Sequence, residues 1–439
     1  MNIVFVGIIL IACVVAAITG SMAEVSSAVF SSAKAAAELS LGLVGYMAFF
    51  LGLMKIGEEG GLLKLLGRAI RPVMTRLFPD VPPDHPAMGA MILNIAANML
   101  GLGNAATPLG IKAMHELNKL NTTPGVATNA MVLFLAINTS GLALLPSGVV
   151  SIRDLEGSLD PWGIMAPTLL ATGISTIVGI SAAKFFQRFF PVKPIETDGA
   201  EAAEAPAPEK EAPEVDLSVA EGGFGVYALG AFLLVGVGLL VTPALSIAIL
   251  PSSHEMVGTM QTLAKDMGNW VIPVLIVSLV CYGWAKKVKV YESFVRGAKE
   301  GFEIAVRIIP YLVAILVAVG MFRASGAMDM LTRPLGSITS FIGMPGEVLP
   351  MAIVRPLSGS GAFGIMTELI QTHGPDSYIG YVASTLNGST ETTFYVLAVY
   401  FGSVGVSRVR HAVVAGLSAD VTGAVVTAIV CAAMFGGGV

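Results

Sequence analysis

The chain has 439 residues, 54% of them hydrophobic and 13% charged, with a net charge of -5 at neutral pH. Soluble proteins carry about 25% charged residues, so this composition, with a mean hydropathy of +0.78, excludes a chain solvated mainly by water and indicates an integral membrane protein. Most of the acidic balance sits in one linker and implies no nucleic-acid partner. Cys13, Cys281 and Cys431 all fall in apolar runs without the paired spacing of a disulfide framework or a metal site, and are read as core thiols.

At roughly 20 residues per crossing, the length accommodates about ten spanning or re-entrant elements. Residues 2–19 form the first apolar run; no basic segment precedes it, so it is read as a retained span rather than a signal peptide. A second span is expected at 36–56. From Gly60 to Phe78, Lys64, Arg68, Arg71 and Arg76 are interleaved with apolar residues, the pattern of a helix lying in the interface. Two short apolar pieces follow, 87–100 and 108–119, hinged by Gly101-Leu102-Gly103-Asn104-Ala105-Ala106-Thr107-Pro108. Each is too short to cross comfortably, so a re-entrant hairpin is expected. Asp84-His85, between prolines, is expected to cap the first hairpin helix. The run 126–150 is interrupted at Asn138-Thr139-Ser140-Gly141 and at Pro146, and a clean span at 162–186 closes the half.

Residues 192–222, dominated by Pro, Ala and Glu, read as a disordered, solvated linker. Spans at 224–249 and 267–285 come next. The earlier order then recurs: a span at 303–322, an interfacial piece at 326–342, a hairpin at 347–373 with its tip at Ser358-Gly359-Ser360-Gly361, a broken run at 378–403 and a final span at 411–435. The recurrence is visible residue by residue. Ala33 to Arg68 aligns without gaps on Ala298 to Arg333, placing Lys34 on Lys299, Tyr46 on Tyr311 and Gly61 on Gly326. The expected division is a first transmembrane half at 1–191, the linker, and a second half at 223–439. Short cytoplasmic loops collect Lys and Arg. Placing the basic connections 55–76, 112–119, 184–193, 286–299 and 408–410 all inside requires the two copies to run in opposite directions. The connection 151–160, with Arg153 against Asp154, Glu156 and Asp160, then falls outside. The expected fold is all-α and polytopic, with two inverted repeats.

Unwinding a helix in hydrocarbon leaves backbone groups without partners, at several kcal/mol each, unless they line an enclosed cavity or bind something. Two broken helices and two hairpin tips at matching places therefore point to a shared polar site near mid-membrane. The strongest segment is Asn387-Gly388-Ser389-Thr390-Glu391-Thr392, where Glu391 is an ionisable group inside the membrane; the alternative is that its hydroxyls glue helices together. Arg355, just before the second tip, needs an anionic partner, either substrate or Glu391, unless it snorkels to the surface. Asp420, inside the last span, is a candidate for ion coupling or for neutralising an arginine. On the first-copy side the candidates are Asn94 and Asn98 in the hairpin, Asn104 and Thr107 at its tip, and Asn138, Thr139 and Ser140 in the break, all suited to hydrogen bonds or cation coordination. Gly359-Ser360-Gly361-Ala362-Phe363-Gly364 has dinucleotide-binding spacing, but no strand precedes it. A serine hydrolase is equally unsupported, because His85, His115, His254, His373 and His411 lie at span ends or in loops. No enzymatic activity is expected.

The motifs GLMKIGEEGGLL (52–63), FPDVPPDHPAMG (78–89), GLGNAATPLGIKAM (101–114) and FLAINTS (134–140) closely resemble the spore maturation protein A family. MAIVRPLSGSGAFGIM (351–366), THGPDS (372–377) and NGSTETTFYVLAVYFGSVG (387–405) closely resemble the spore maturation protein B family. The chain thus resembles a fusion of the two within the nucleoside-recognition, or Gate, superfamily, which is similar to concentrative nucleoside transporters. That resemblance implies a nucleoside and a sodium ion held by Asn104 and Thr107, Asn138 to Ser140, Ser358 to Gly361, and Asn387 to Thr392. The chain departs from the pattern in having no acid beside Asn138 and in carrying Arg355, which favours an anionic or zwitterionic solute. The expectation is a cation-coupled secondary transporter, with Na+ or H+ as coupling ion and no other cofactor, forming a homo-oligomer in the bacterial inner membrane. A nucleoside transporter and a non-transporting membrane scaffold are the alternatives.

Overall fold

The computed structural model describes residues 2–141, 143–191, 272–330 and 339–435, and only the backbone of residues 2–4, 103–105, 307, 308 and 340. The linker at 192–222 and the span expected at 224–249 lie outside the described residues. The described residues are almost entirely helical. A single parallel bridge between Val126 and Arg408 is their only β pairing. Four helices, Met22–Glu59, Met165–Phe186, Val290–Ala324 and Ala412–Phe435, are long and apolar enough to cross a membrane, and the chain is a membrane protein.

The first half runs α1 (Asn2–Thr19), α2 (Met22–Glu59), α3 (Leu62–Leu77), α4 (Pro86–Met99), α5 (Gly103–Lys119), α6 (Asn129–Thr139), α7 (Ser147–Leu155) and α8 (Met165–Phe186). The second runs α9 (Ile272–Ala285), α10 (Val290–Ala324), a helical turn at 327–330, α11 (Leu349–Val354), α12 (Gly359–His373), α13 (Tyr378–Ser389), α14 (Thr393–Gly402) and α15 (Ala412–Phe435). Among the described residues α9 to α15 follow the order of α1, α2 and α4 to α8, and the counterpart of α3 is described only at 327–330. Gly61 and Gly326, equivalent in the repeat, both end their long helix in the left-handed region, with φ of 86° and 80°, a conformation open to glycine without steric cost.

Several boundaries differ from the sequence expectation. The spans expected at 36–56 and 303–322 are the apolar parts of much longer helices. At 1.5 Å per residue the 38 residues of α2 extend about 57 Å, well beyond a hydrocarbon core of about 30 Å. Each long helix supplies the other with a packing partner over the extra turns. The first hairpin turns at 100–102, not over 101–108, because Pro108 is accommodated inside α5 near its start. Residues 151–155 belong to α7 and are not a solvated connection, and Cys281 is exposed rather than in the core. Residues 331–338 of the interfacial piece expected at 326–342 lie outside the described residues.

Small residues set the closest helix contacts, as in membrane packing generally, because they let backbones approach. Gly52 of α2 lies against Phe294 of α10, Gly301 against Met47 and Ala48, and Gly320 against Ser32. Rising numbers in one helix meet falling numbers in the other, so α2 and α10 are antiparallel. The α8–α15 pair is built alike: Gly179 faces Ala419, while Gly423 faces Ser175. Both antiparallel pairs join one half of the chain to the other. The core divides accordingly. One buried cluster holds α4, α5 and α6 with Val396, Tyr400 and Phe401 of α14; another holds α12 and α13 with Val149, Val150 and Ile152 of α7. Each cluster thus takes half of each broken helix, and the two broken helices cross at their breaks.

Candidate functional site

At the crossing the two breaks touch through the backbone. The Glu391 amide donates to the Thr139 carbonyl at 2.9 Å. Gly141, with φ of 63°, leaves no room for a side chain: a Cβ there would lie 2.8 Å from the Thr390 carbonyl carbon. The unwound carbonyls find partners locally, as their depth requires. Thr172 of α8 donates to both Ser140 and Gly141 carbonyls at 2.9 Å. On the second side the donor is Arg355, whose side chain is buried. Its Nη2 donates to the carbonyls of Asn387, at 3.0 Å, and Thr390, and its Nε donates to the Thr390 hydroxyl at 3.3 Å. The Glu391 carboxylate stands 4.0 Å from the same Nη2 and is 53% exposed. Arg355 therefore does not snorkel. Its Nη1 has no hydrogen-bond partner among the described residues and faces the second hairpin tip, where a Cβ on Gly359 would lie 3.5 Å from it and 2.8 Å from the Thr392 hydroxyl.

The α15 face opposite this crossing carries Gly416, Asp420 and Gly423, spaced to share one side of the helix. Asp420 accepts from the Thr393 hydroxyl at 2.7 Å through Oδ2, while its buried Oδ1 has no partner among the described residues. The buried Oδ1 atoms of Asn387 and Asn94 are likewise unpartnered there. Buried acceptors without donors are uncommon and leave oxygen ligands available for a proton or cation.

The hairpin asparagines lie elsewhere. Asn94 and Asn98, four residues apart on α4, share one face. Asn98 donates to Asn138 Oδ1 at 2.8 Å, and Asn94 donates to the Ala106 carbonyl at 2.7 Å and the Tyr400 hydroxyl at 3.1 Å. Tyr400 in turn bonds Asn138 Oδ1 at 3.2 Å and stacks on Phe134. This network ties the first hairpin to α6 and α14, and Asp420 makes no hydrogen bond into it. Ser140 bonds Thr176, Ser389 bonds Thr427, Thr139 bonds the Ala136 carbonyl, and Ser358 caps α12 by accepting from the Gly361 amide. These four hydroxyls are engaged in packing. Thr107 and Ser360 are half-buried in the first turns of α5 and α12, beyond the hairpin turns, and the Asn104 side chain is outside the described residues. His85 caps α4 through Nδ1, which accepts from the Ala87 amide at 3.1 Å.

Two residues escaped the sequence reading. Tyr400 carries no local signal, since an aromatic in LAVYFG reads as lipid-facing; only Gly110, whose Cβ would collide with its hydroxyl, makes room for it. Arg153 looked like a loop charge. It is fully buried and donates to the Asp160 and Pro161 carbonyls, to Ser158 and to Asp376, with its guanidinium 4.3 Å over the Tyr381 ring.

The chain matches the Gate family, described as "Nucleoside recognition", over residues 40–156 and 305–407. It is 51% identical to spore maturation protein B of Bacillus subtilis (strain 168) over 172 residues, which are 38% of this chain and 97% of that protein. It is 47% identical to spore maturation protein A of the same organism over 186 residues, 42% of this chain and 95% of that protein. This chain therefore resembles a fusion of the two. No solved structure matches it.

Proposed function

The chain belongs to the Gate, or nucleoside-recognition, family, and from that premise we propose that it is a cation-coupled secondary transporter of a small anionic or zwitterionic solute across the bacterial inner membrane. The observation that carries this reading is the uncommitted Nη1 of Arg355, a charged donor at the crossing of two broken helices, beside the exposed Glu391 carboxylate. A guanidinium edge of this kind suits a carboxylate or phosphate, and Glu391 suits an ammonium on the same solute. Asp420 and Asn387 supply the unpartnered oxygens for a coupling Na+ or H+. Since Arg355 also serves the break itself, its presence alone does not demand an anion, and the family description keeps a nucleoside as the second reading. The antiparallel α2–α10 and α8–α15 pairs support an inverted repeat. With that sidedness, a cysteine placed at position 157 is labelled from outside and one at 205 is not; the opposite pattern defeats the inversion.

The functional test is ligand-induced stabilisation of the purified protein, which reaches about 2.7 kcal/mol at a hundredfold excess over Kd. Amino acids and organic acids are expected to shift the melting temperature where uncharged nucleosides do not. Glu391→Gln should abolish the shift and Asp420→Asn should change its dependence on sodium and pH. A shift with nucleosides alone establishes the second reading. No shift with any solute leaves the scaffold role.

A further inference from the structure

An apolar groove of about 380 Å3 runs between the end of α2, α9 and the start of α10, walled by Phe49, Leu53, Ile276, Val280, Val290 and Phe294. At its mouth the 286–289 loop joins α9 to α10 and carries Lys286, Lys287 and Lys289, the last two exposed. Lys287, at φ 59°, is the left-handed residue that closes α9, with the Val288 amide donating to the Gly283 carbonyl at 2.9 Å, and this cap fixes the course of the lysine loop. Of the other cations at this end, Lys55 pairs with Glu58 and Glu300, and Arg296 with Glu59. Among the described residues no carboxylate lies within ion-pair distance of the three lysines; Glu292, on the first turn of α10, is exposed. Trp284 and Tyr291, 78% and 76% exposed, flank the loop, as aromatics do at headgroup level. Ile276, Val280 and Trp284 follow at intervals of four and share a face of α9.

We propose that this groove is a binding site for an anionic phospholipid, one acyl chain lying between α2, α9 and α10 and the phosphate held by Lys286, Lys287 and Lys289. An apolar slot opening directly onto an unpaired triple positive charge matches a molecule that joins a long alkyl chain to an anion. A zwitterionic lipid fills the slot and leaves the charge unbalanced. Basic clusters beside a span attract anionic lipids in this way, each lysine being worth about a fivefold preference. The site is independent of the transport reading, and its test needs no transported solute.

Trp284 serves as the reporter once Trp162→Phe and Trp270→Phe leave it the sole tryptophan of the three. The protein is placed in phosphatidylcholine bilayers containing a minor share of phosphatidylglycerol brominated on its acyl chains, or an equal share of brominated phosphatidylcholine. Quenching of Trp284 is expected to be stronger with the anionic lipid. Lys287→Gln should reduce that preference about fivefold, and Val280→Phe, which fills the groove, should reduce it at unchanged charge. Equal quenching by the two lipids overturns the proposal, as does a preference that survives neutralising all three lysines. Suppression by glycerol phosphate, with Val280→Phe ineffective, would mean that only the headgroup is bound and the groove is not used. No quenching by either lipid would mean that the chain's own residues cover it.

Discussion

Replacing Arg355 with Ala should destabilise the protein by about 2–6 kcal/mol, because it leaves two buried carbonyls of the unwound helix without their donor. The guanidinium satisfies the Asn387 and Thr390 carbonyls and the Thr390 hydroxyl at once, and each buried acceptor left alone costs about 1–3 kcal/mol. Arg355→Lys should recover only part, because a single ammonium cannot span acceptors arranged for two edges of a planar fork. Glu391 matters far less to folding. At 4.0 Å and 53% exposed, its pairing is worth up to about 1 kcal/mol. The double variant Arg355→Met/Glu391→Gln should therefore be no more stable than Arg355→Met alone. Thermal unfolding of the four proteins decides the matter: recovery in the double variant would show that the ion pair, and not the helix break, is what Arg355 is there for.

Arg153→Met should produce a loss of similar size, about 3–5 kcal/mol, although its site is remote from the crossing. Its side chain is wholly buried and bonds Asp376 at 2.9 Å; Asp376 also accepts from Ser158 and, at 2.7 Å, from the Leu159 amide. The cluster fastens α7 and its following loop, in the first half, to the α12–α13 turn in the second. Arg153→Lys should remain markedly destabilised, since one ammonium cannot reach the Asp160 and Pro161 carbonyls, Ser158 and Asp376 together. Asp376→Asn, which keeps the shape and removes the charge, should cost less, about 1.5–3 kcal/mol, the worth of a hydrogen bond to a charged group. Chemical denaturation of the three variants tests this ranking. If Asp376→Asn proved the most damaging of them, the cluster would depend on the carboxylate's bonds to Ser158 and Leu159 rather than on Arg153.

The linear sequence determined the class, the elements and the weak points of the helices. Composition placed the chain in a membrane, the gapless recurrence of Ala33–Arg68 divided it into two matching halves, and the polar interruptions at Asn138–Gly141 and Asn387–Thr392 located both breaks to within a turn. These are local signals: hydropathy, periodicity and the residues that stop a helix act between neighbours in the chain. What the tertiary structure decided is who meets whom. The bond from Glu391 to Thr139, Asn94 to Tyr400, and Arg153 to Asp376 each join residues more than 200 positions apart, and no local pattern specifies such a partner. The same holds for Arg355. An arginine before a hairpin tip announces only that it needs acceptors. That those acceptors are the carbonyls of an unwound helix follows from two broken helices crossing where Gly141 lets their backbones touch.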